Sequence, residues 1–368
     1  MQKVNHLQIF AMFNLYIFTV VIAFLMAVYV RNSHYSTPVS IVLGGLLSIV
    51  FIYPAYKVTA SRPNETIIQF GRKIVGKVPH TIVMLWFTIV NLLLAGINLR
   101  ELEDFLIQVY LPGTPPWIIA LLFGICVAYA ARSGITTIFT AALGIFVVSI
   151  LAFISVPLMV STEISPEVLP AFINHLNFKH VSMGVYTSLP IFGEFSFLFL
   201  IMPYLKSPQK VYRTISITVI SSLIIILSHL LPILMILSPD LAANLTYPDL
   251  DLIRSLRAGS FIETLDPILI VLWLTSLFIK ISFMLFIAVY CISVLLKLPD
   301  HSSLVLPFTA FACILSFFVV RSQVETNQLL MESLPPLLNF TEYVIPTIYW
   351  ILNAIRFRKN KKGMPEHS

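Results

Sequence analysis

The sequence predicts an all-α polytopic membrane protein of about ten transmembrane helices. Three observations carry that reading. Hydrophobic residues make up 58% of the 368-residue chain and charged residues 11%, against roughly 25% charged in soluble domains. Mean hydropathy is +0.92. Apolar runs near the ~20 residues that a membrane helix needs recur from end to end, with only short polar breaks between them.

The runs fall at 6–30, 38–60, 80–99, 115–132, 135–161, 185–205, 211–238, 267–296, 303–320 and 336–355. Short alternating segments of the β-barrel kind are absent. The first run follows Lys3 but is longer than a signal-peptide core, so it reads as a retained span. Pro157, Pro190, Pro203, Pro232 and Pro346 punctuate the runs, and Gly193 follows Pro190 closely in the sixth. Backbone groups freed there need a neighbouring helix or a wet cavity, so this is either a kink or a binding site. Between the seventh and eighth runs lies an outer segment, 239–266. Pro248 suits a first helical turn, and Leu250, Ile253 and Leu256 follow at helical spacing. Asp249 and Asp251 precede Arg254 and Arg257 as the helix dipole favours, and Gly259 closes the element. This predicts a short amphipathic helix on the outer surface, joined to the next span through Phe261, Ile262 and Pro267.

Threading the runs with the N-terminus inside puts sixteen of the 23 Lys and Arg on the inner side and six on the outer. Both termini are then cytoplasmic, as the positive-inside rule requires. The net charge of +6 thus implies no nucleic-acid partner. The basic tail Arg356–Lys362 sets topology and can rest against anionic membrane lipid. Cys126, Cys291 and Cys313 lack metal-ligand spacing and read as small buried hydrophobes, so neither metal nor cofactor is predicted.

Polar residues at membrane depth are the informative exceptions. Glu194 stands near the middle of the sixth run, where an ionised carboxylate costs roughly 2.5–3.5 kcal/mol or more unless paired or hydrated. Lys280 stands halfway along the eighth, too far from either surface to snorkel. Matched depth makes the two candidate partners. Arg100 and Asp104 are one helical turn apart at the end of the third run, which reads as a solvated helix end or as the lining of an outer vestibule. His229 reads as a hydrogen-bonded core residue, and Trp273, seven residues before Lys280, as packing. No GxxxxGK[ST], HExxH or GxSxG pattern is present, and the chain is not expected to be an enzyme.

The segment Tyr247-Pro248-Asp249-Leu250-Asp251-Leu252-Ile253-Arg254, then Trp273 and Phe278-Ile279-Lys280-Ile281-Ser282, resembles the spore germination permease family, the B subunits of nutrient germinant receptors. His6 to Phe10, Arg100 to Phe105, Leu111-Pro112-Gly113, Ala131 to Ile135, and Glu194 with Pro203-Tyr204 agree in order and spacing. The resemblance implies the ten-span, five-plus-five inverted-repeat fold of the amino acid–polyamine–organocation superfamily. Its first and sixth spans are broken near the midplane around a small ligand. It further implies A-type and C-type receptor subunits as partners in the spore inner membrane, and an amino acid or sugar as ligand. The site it implies consists of Thr19, Gly193 and Glu194, with Lys280 as a coupling or structural charge. This chain has Thr19-Val20 where members commonly carry Gly-Ser, and Thr136 where they often carry Glu. Three functions follow: a germinant-sensing receptor subunit, a proton- or sodium-coupled amino-acid permease, and a scaffold subunit whose ligand site has decayed.

Overall fold

The computed structural model describes residues 3–255 and 265–361, and Gly259, Phe261 and Ile262 lie outside them. Among the described residues the regular structure is all helix, apart from one isolated parallel bridge between Val4 and Leu205. Among the same described residues, eight helical stretches are long and apolar enough to cross a membrane. The first, His6–Ala60, has 55 residues, about 80 Å at 1.5 Å per residue and far more than one crossing. It turns back at His34, whose φ of 46° breaks the right-handed path. The Thr37 hydroxyl donates to the His34 carbonyl at 2.6 Å and fixes the start of the return helix.

Helix α1 (His6–Val20) and α2 (Met26–Ser33) are joined by a π-helical turn, Val21–Leu25. They are followed by α3 (Thr37–Ala60), α4 (Lys77–Val109), α5 (Pro116–Ser133) and α6 (Ile135–Val160). Next come α7 (Phe178–Gly193), α8 (Val211–Ile236) and the short α9 (Pro248–Ser255). Then follow α10 (Leu265–Leu295) and α11 (Ser302–Val319), and Gln323–Lys361 is a run of helical pieces interrupted by two π turns. A helix apolar on every side belongs inside a bundle. Accordingly α1 is buried from Ala11 to Val20 and packs on α6, α8 and α10, while α11 and α6 turn most of their apolar surface outward. Helix α4 lies against α10 and α11, and α7 against α3.

Small residues let α3 and α7 approach closely, as membrane interfaces favour where no hydrophobic effect drives association. Ser40 and Gly44 of α3 face Gly184 and Ser188 of α7, and Ser48, four residues on, is buried as well. A Cβ on Gly184 would strike Ser33 and Ser40, whereas one on Gly144 would meet nothing within 4 Å. Gly184→Val is therefore expected to cost about 2–3 kcal/mol. Gly144→Ala should leave thermal melting of the detergent-purified protein unchanged.

Three expectations change. Cys126 is exposed on the outward face of α5, because that helix is peripheral and a thiol is apolar enough to face lipid. The first span, for which the resemblance implied a midplane break and the Thr19-Val20 pair left it open, stays helical: Val20, Val21 and Leu25 all hold right-handed angles. Without glycine the β-branched run cannot take left-handed backbone, and the helix widens by one π turn instead. The predicted surface helix α9 is sunk into the protein, with Asp249, Leu250, Leu252 and Ile253 buried.

Candidate functional site: a buried charge cluster beside a cavity

The site starts from a change of helix type. Pro190 lacks an amide proton, and after Gly193 the α-helix tightens into a 3₁₀ segment, Glu194–Tyr204, that loses helical geometry at Ile201. The first residue past the junction is Glu194, 3% exposed. Its carboxylate meets Lys280 of α10, with Nζ 3.1 Å from Oε2 and 3.3 Å from Oε1. Lys280 is 1% exposed, and its ammonium also lies 4.5 Å from the centre of the Tyr16 ring on α1, within cation–π range.

Two further carboxylates share this surrounding. Glu342, fully buried in the π turn Phe340–Val344, lies within electrostatic reach of Glu194 and Lys280, and neither of its oxygens has a hydrogen-bond partner. Glu101 of α4, 7% exposed, feels both Lys280 and Glu194. One ammonium thus faces three acids. At low dielectric such a surplus of negative charge must be offset by protons or by a cation. Among the described residues no group of His, Cys, Asp and Glu has the arrangement of a metal site.

Glu194, Glu101 and Lys280 form the polar side of a cavity of about 50 Å³, room for a few waters at roughly 10–15 Å³ each. Val20, Leu25 and Tyr29, Leu94 and Ile97, Pro190 and Ile191, and Leu334 and Leu338 make its largely apolar walls. Of the residues expected at the ligand site, Glu194 lines this cavity. Thr19 is buried and does not line it, although its neighbour Val20 does, and the Thr19 hydroxyl is unpartnered among the described residues. Gly193 is buried as well, at a close approach to Glu342 and Tyr343.

Arg100 and Asp104 pair at 2.9 Å but do not form a solvated helix end, since they are only 16% and 18% exposed. Helix α4 continues to Val109, beyond the apolar run, so its acidic residues stay within the bundle. Glu103 is fully buried and accepts a 2.8 Å hydrogen bond from the Ser316 hydroxyl of α11. His229 Nδ1 lies 2.8 Å from Asp249 Oδ1 and its Nε2 lies 3.1 Å from the Phe153 carbonyl, tying α9 to α8 and α6. Asp249 is thus a buried partner of His229 rather than only a dipole-matched acid on a surface helix. Trp273 packs under this cap against Phe24 and Phe105. Outside the spans, burial pushes the Asp251 carboxyl up, and nearby Arg254 partly offsets that. Asp249→Ala is expected to loosen α9. The measurement is hydrogen exchange of 248–255, which should quicken at least tenfold while exchange in α10 is unchanged.

Glu342 and Glu101 were missed from sequence, as was Asn98 of α4, which also lines the cavity. The signal for Glu342 was present as a lone carboxylate in an apolar run, Phe340-Thr341-Glu342-Tyr343-Val344.

Solved structures share the architecture at low identity. MhsT in complex with L-phenylalanine has a TM-score of 0.65 at 10% identity, covering 95% of this chain and 97% of that one. An outward-open, substrate-bound Na⁺-coupled sialic acid symporter gives 0.65 at 11%, with 91% and 79% covered. The nucleobase-cation-symport-1 transporter Mhp1, in a closed conformation, gives 0.56 at 11%, with 100% and 95% covered. At these identities the likeness speaks for the fold alone, an inverted-repeat transporter bundle. Among curated relatives of Bacillus subtilis (strain 168), spore germination protein YndE is 25% identical over 244 residues, 65% of this chain and 66% of that protein. Spore germination protein KB is 23% identical over 335 residues, 90% of each chain. The family model described as spore germination protein matches residues 3–324. This multi-pass membrane protein belongs to the spore germination protein family, that of the B-type subunits of germinant receptors.

Proposed function

We propose that the chain senses a small nutrient, an amino acid or a sugar, as a receptor subunit in the spore inner membrane. In this reading it crosses the membrane ten times, both termini are cytoplasmic, and it works with A-type and C-type subunits. The observation that carries the proposal is the buried Glu194–Lys280 pair at the α-to-3₁₀ junction, on the wall of a cavity between the first and sixth crossings. A ligand can drive signalling only if it binds two states of the bundle with different affinity. A charge pair that a zwitterion or hydroxylated ligand can split or bridge supplies such a difference. The cavity as it stands has room for water, so nutrient entry requires the walls to part.

A second reading, a cation-coupled permease, is favoured by the surplus of acids over Lys280, since protons or a cation would load and leave there. Both readings are tested by a germination assay on spores carrying Glu194→Gln, with immunoblots of the receptor subunits. Normal subunit levels with a response lost, or shifted at least tenfold in nutrient concentration, is the expected result. An unchanged response would overturn the site and favour the scaffold reading.

A further inference from the structure

On the face that carries the chain ends, a second cavity of about 550 Å³ opens between the loop before α4 and the end of α10. Arg72, Lys77 and Lys297 line it, along with Gln69 and Thr81, over an apolar wall that includes Val294. Lys73, next to Arg72, is matched with Glu65 at 3.9 Å. Arg72, Lys77 and Lys297 have no carboxylate oxygen within 4.0 Å among the described residues. His80 at the inner wall is committed to its neighbours, with Nδ1 2.8 Å from the Tyr349 hydroxyl and Nε2 2.8 Å from the Ile68 carbonyl. The cavity is therefore cationic at its rim and apolar on one side.

Lys297 is held there against backbone preference. Helix α10 ends with the Leu298 amide donating to the Ser293 carbonyl at 2.9 Å and the Lys297 amide to the Val294 carbonyl at 3.2 Å. That pair of hydrogen bonds puts Lys297 at the position where glycine is the rule, with φ at 55°. A side chain in left-handed backbone is strained, so the ammonium sits there at a cost to the fold.

We infer that Arg72, Lys77 and Lys297 form a binding site for a phosphate-bearing anion at the membrane boundary. The shared chemistry is a phosphate oxygen cluster met by a guanidinium and two ammonium groups. Its source is the headgroup of an anionic phospholipid, whose acyl chains would continue the apolar wall, or a free phosphate from the aqueous side. This site is separate from the Glu194 cluster and does not depend on the proposed ligand sensing.

The test uses the full chain in nanodiscs of phosphatidylcholine with a minor fraction of phosphatidylglycerol, with retained lipid counted by native mass spectrometry. Each charge-assisted contact to a phosphate oxygen contributes roughly a tenfold factor beyond the diffuse attraction of the surface, so Arg72→Gln/Lys77→Gln/Lys297→Gln should lose at least about 100-fold in phosphatidylglycerol preference. A control triple, Lys206→Gln/Lys210→Gln/Arg213→Gln, removes equal charge elsewhere on the same face and should lose far less. Lys297→Gly removes one cation while relaxing the backbone. Weaker retention with an equal or higher melting temperature excludes misfolding as the cause. Stabilisation of the unaltered protein by inorganic phosphate, absent in the first triple, would identify the free anion as the source. The inference is overturned if neither probe separates the first triple from the unaltered protein, or if the control triple loses phosphatidylglycerol equally.

Discussion

Lys280→Met is expected to destabilise the protein by about 3–5 kcal/mol, the largest loss of any single change in the cluster. The substitution roughly preserves volume and removes only the ammonium, so the loss reports charge rather than packing. It leaves Glu194, Glu101 and Glu342 facing one another in a site where none is more than 7% exposed. Glu194→Gln is expected to cost less, because Lys280 still has Glu342 and Glu101 within electrostatic reach. That asymmetry makes Glu194→Gln suitable for the germination assay and Lys280→Met suitable for the stability assay. The double variant Glu194→Gln/Lys280→Met should recover at least half of the Lys280→Met loss, since a buried pair replaced together leaves fewer uncompensated charges. Thermal melting in detergent, read by size-exclusion recovery, measures all three. If Lys280→Met melts like the unaltered protein, the 3.1 Å contact is not an ion pair in solution and the electrostatic account of the site fails.

The membrane class, Glu194 and Lys280 were legible because each announces a cost. A carboxylate and an ammonium at matched depth in two apolar runs must be compensated, and each is the other's nearest remedy. Glu101 was not legible as a buried residue. The run Arg100-Glu101-Leu102-Glu103-Asp104 looks like a helix end when only hydropathy marks the boundary, whereas α4 continues to Val109 and buries it. The fate of Asp249 was hidden for a similar reason. Two acids at a helix N-terminus satisfy the dipole whichever way the helix faces, and only the fold brings His229 to one of them. The π turns, at Val21–Leu25 and again around Glu342, leave no mark in the hydrophobic pattern, because inserting one residue shifts side-chain direction without changing composition.

Gly193→Ala separates two roles that the sequence alone cannot distinguish. A Cβ there would collide with the Glu342 carboxylate and come within 2.7 Å of the Tyr343 ring and hydroxyl. Tyr343 is not free to yield, since its hydroxyl donates to the Leu189 carbonyl at 2.8 Å, beside the Pro190 that interrupts the helix. Overpacking of this kind costs about 1–3 kcal/mol, and losing that hydrogen bond adds roughly 1 kcal/mol. The expected result is thus a lower melting temperature together with a lost nutrient response. If the glycine serves close packing of α7 on the last helical run, trimming the obstacle with Tyr343→Leu should restore part of the stability in the double variant and only lower it alone. A glycine that instead gives a ligand access to backbone predicts a different pattern: unchanged melting, a shifted nutrient concentration, and no rescue by Tyr343→Leu. The collision distances favour the packing role. On that account Gly193 acts on the proposed ligand site by fixing how closely Glu342 approaches Glu194, and therefore how much negative charge Lys280 must balance.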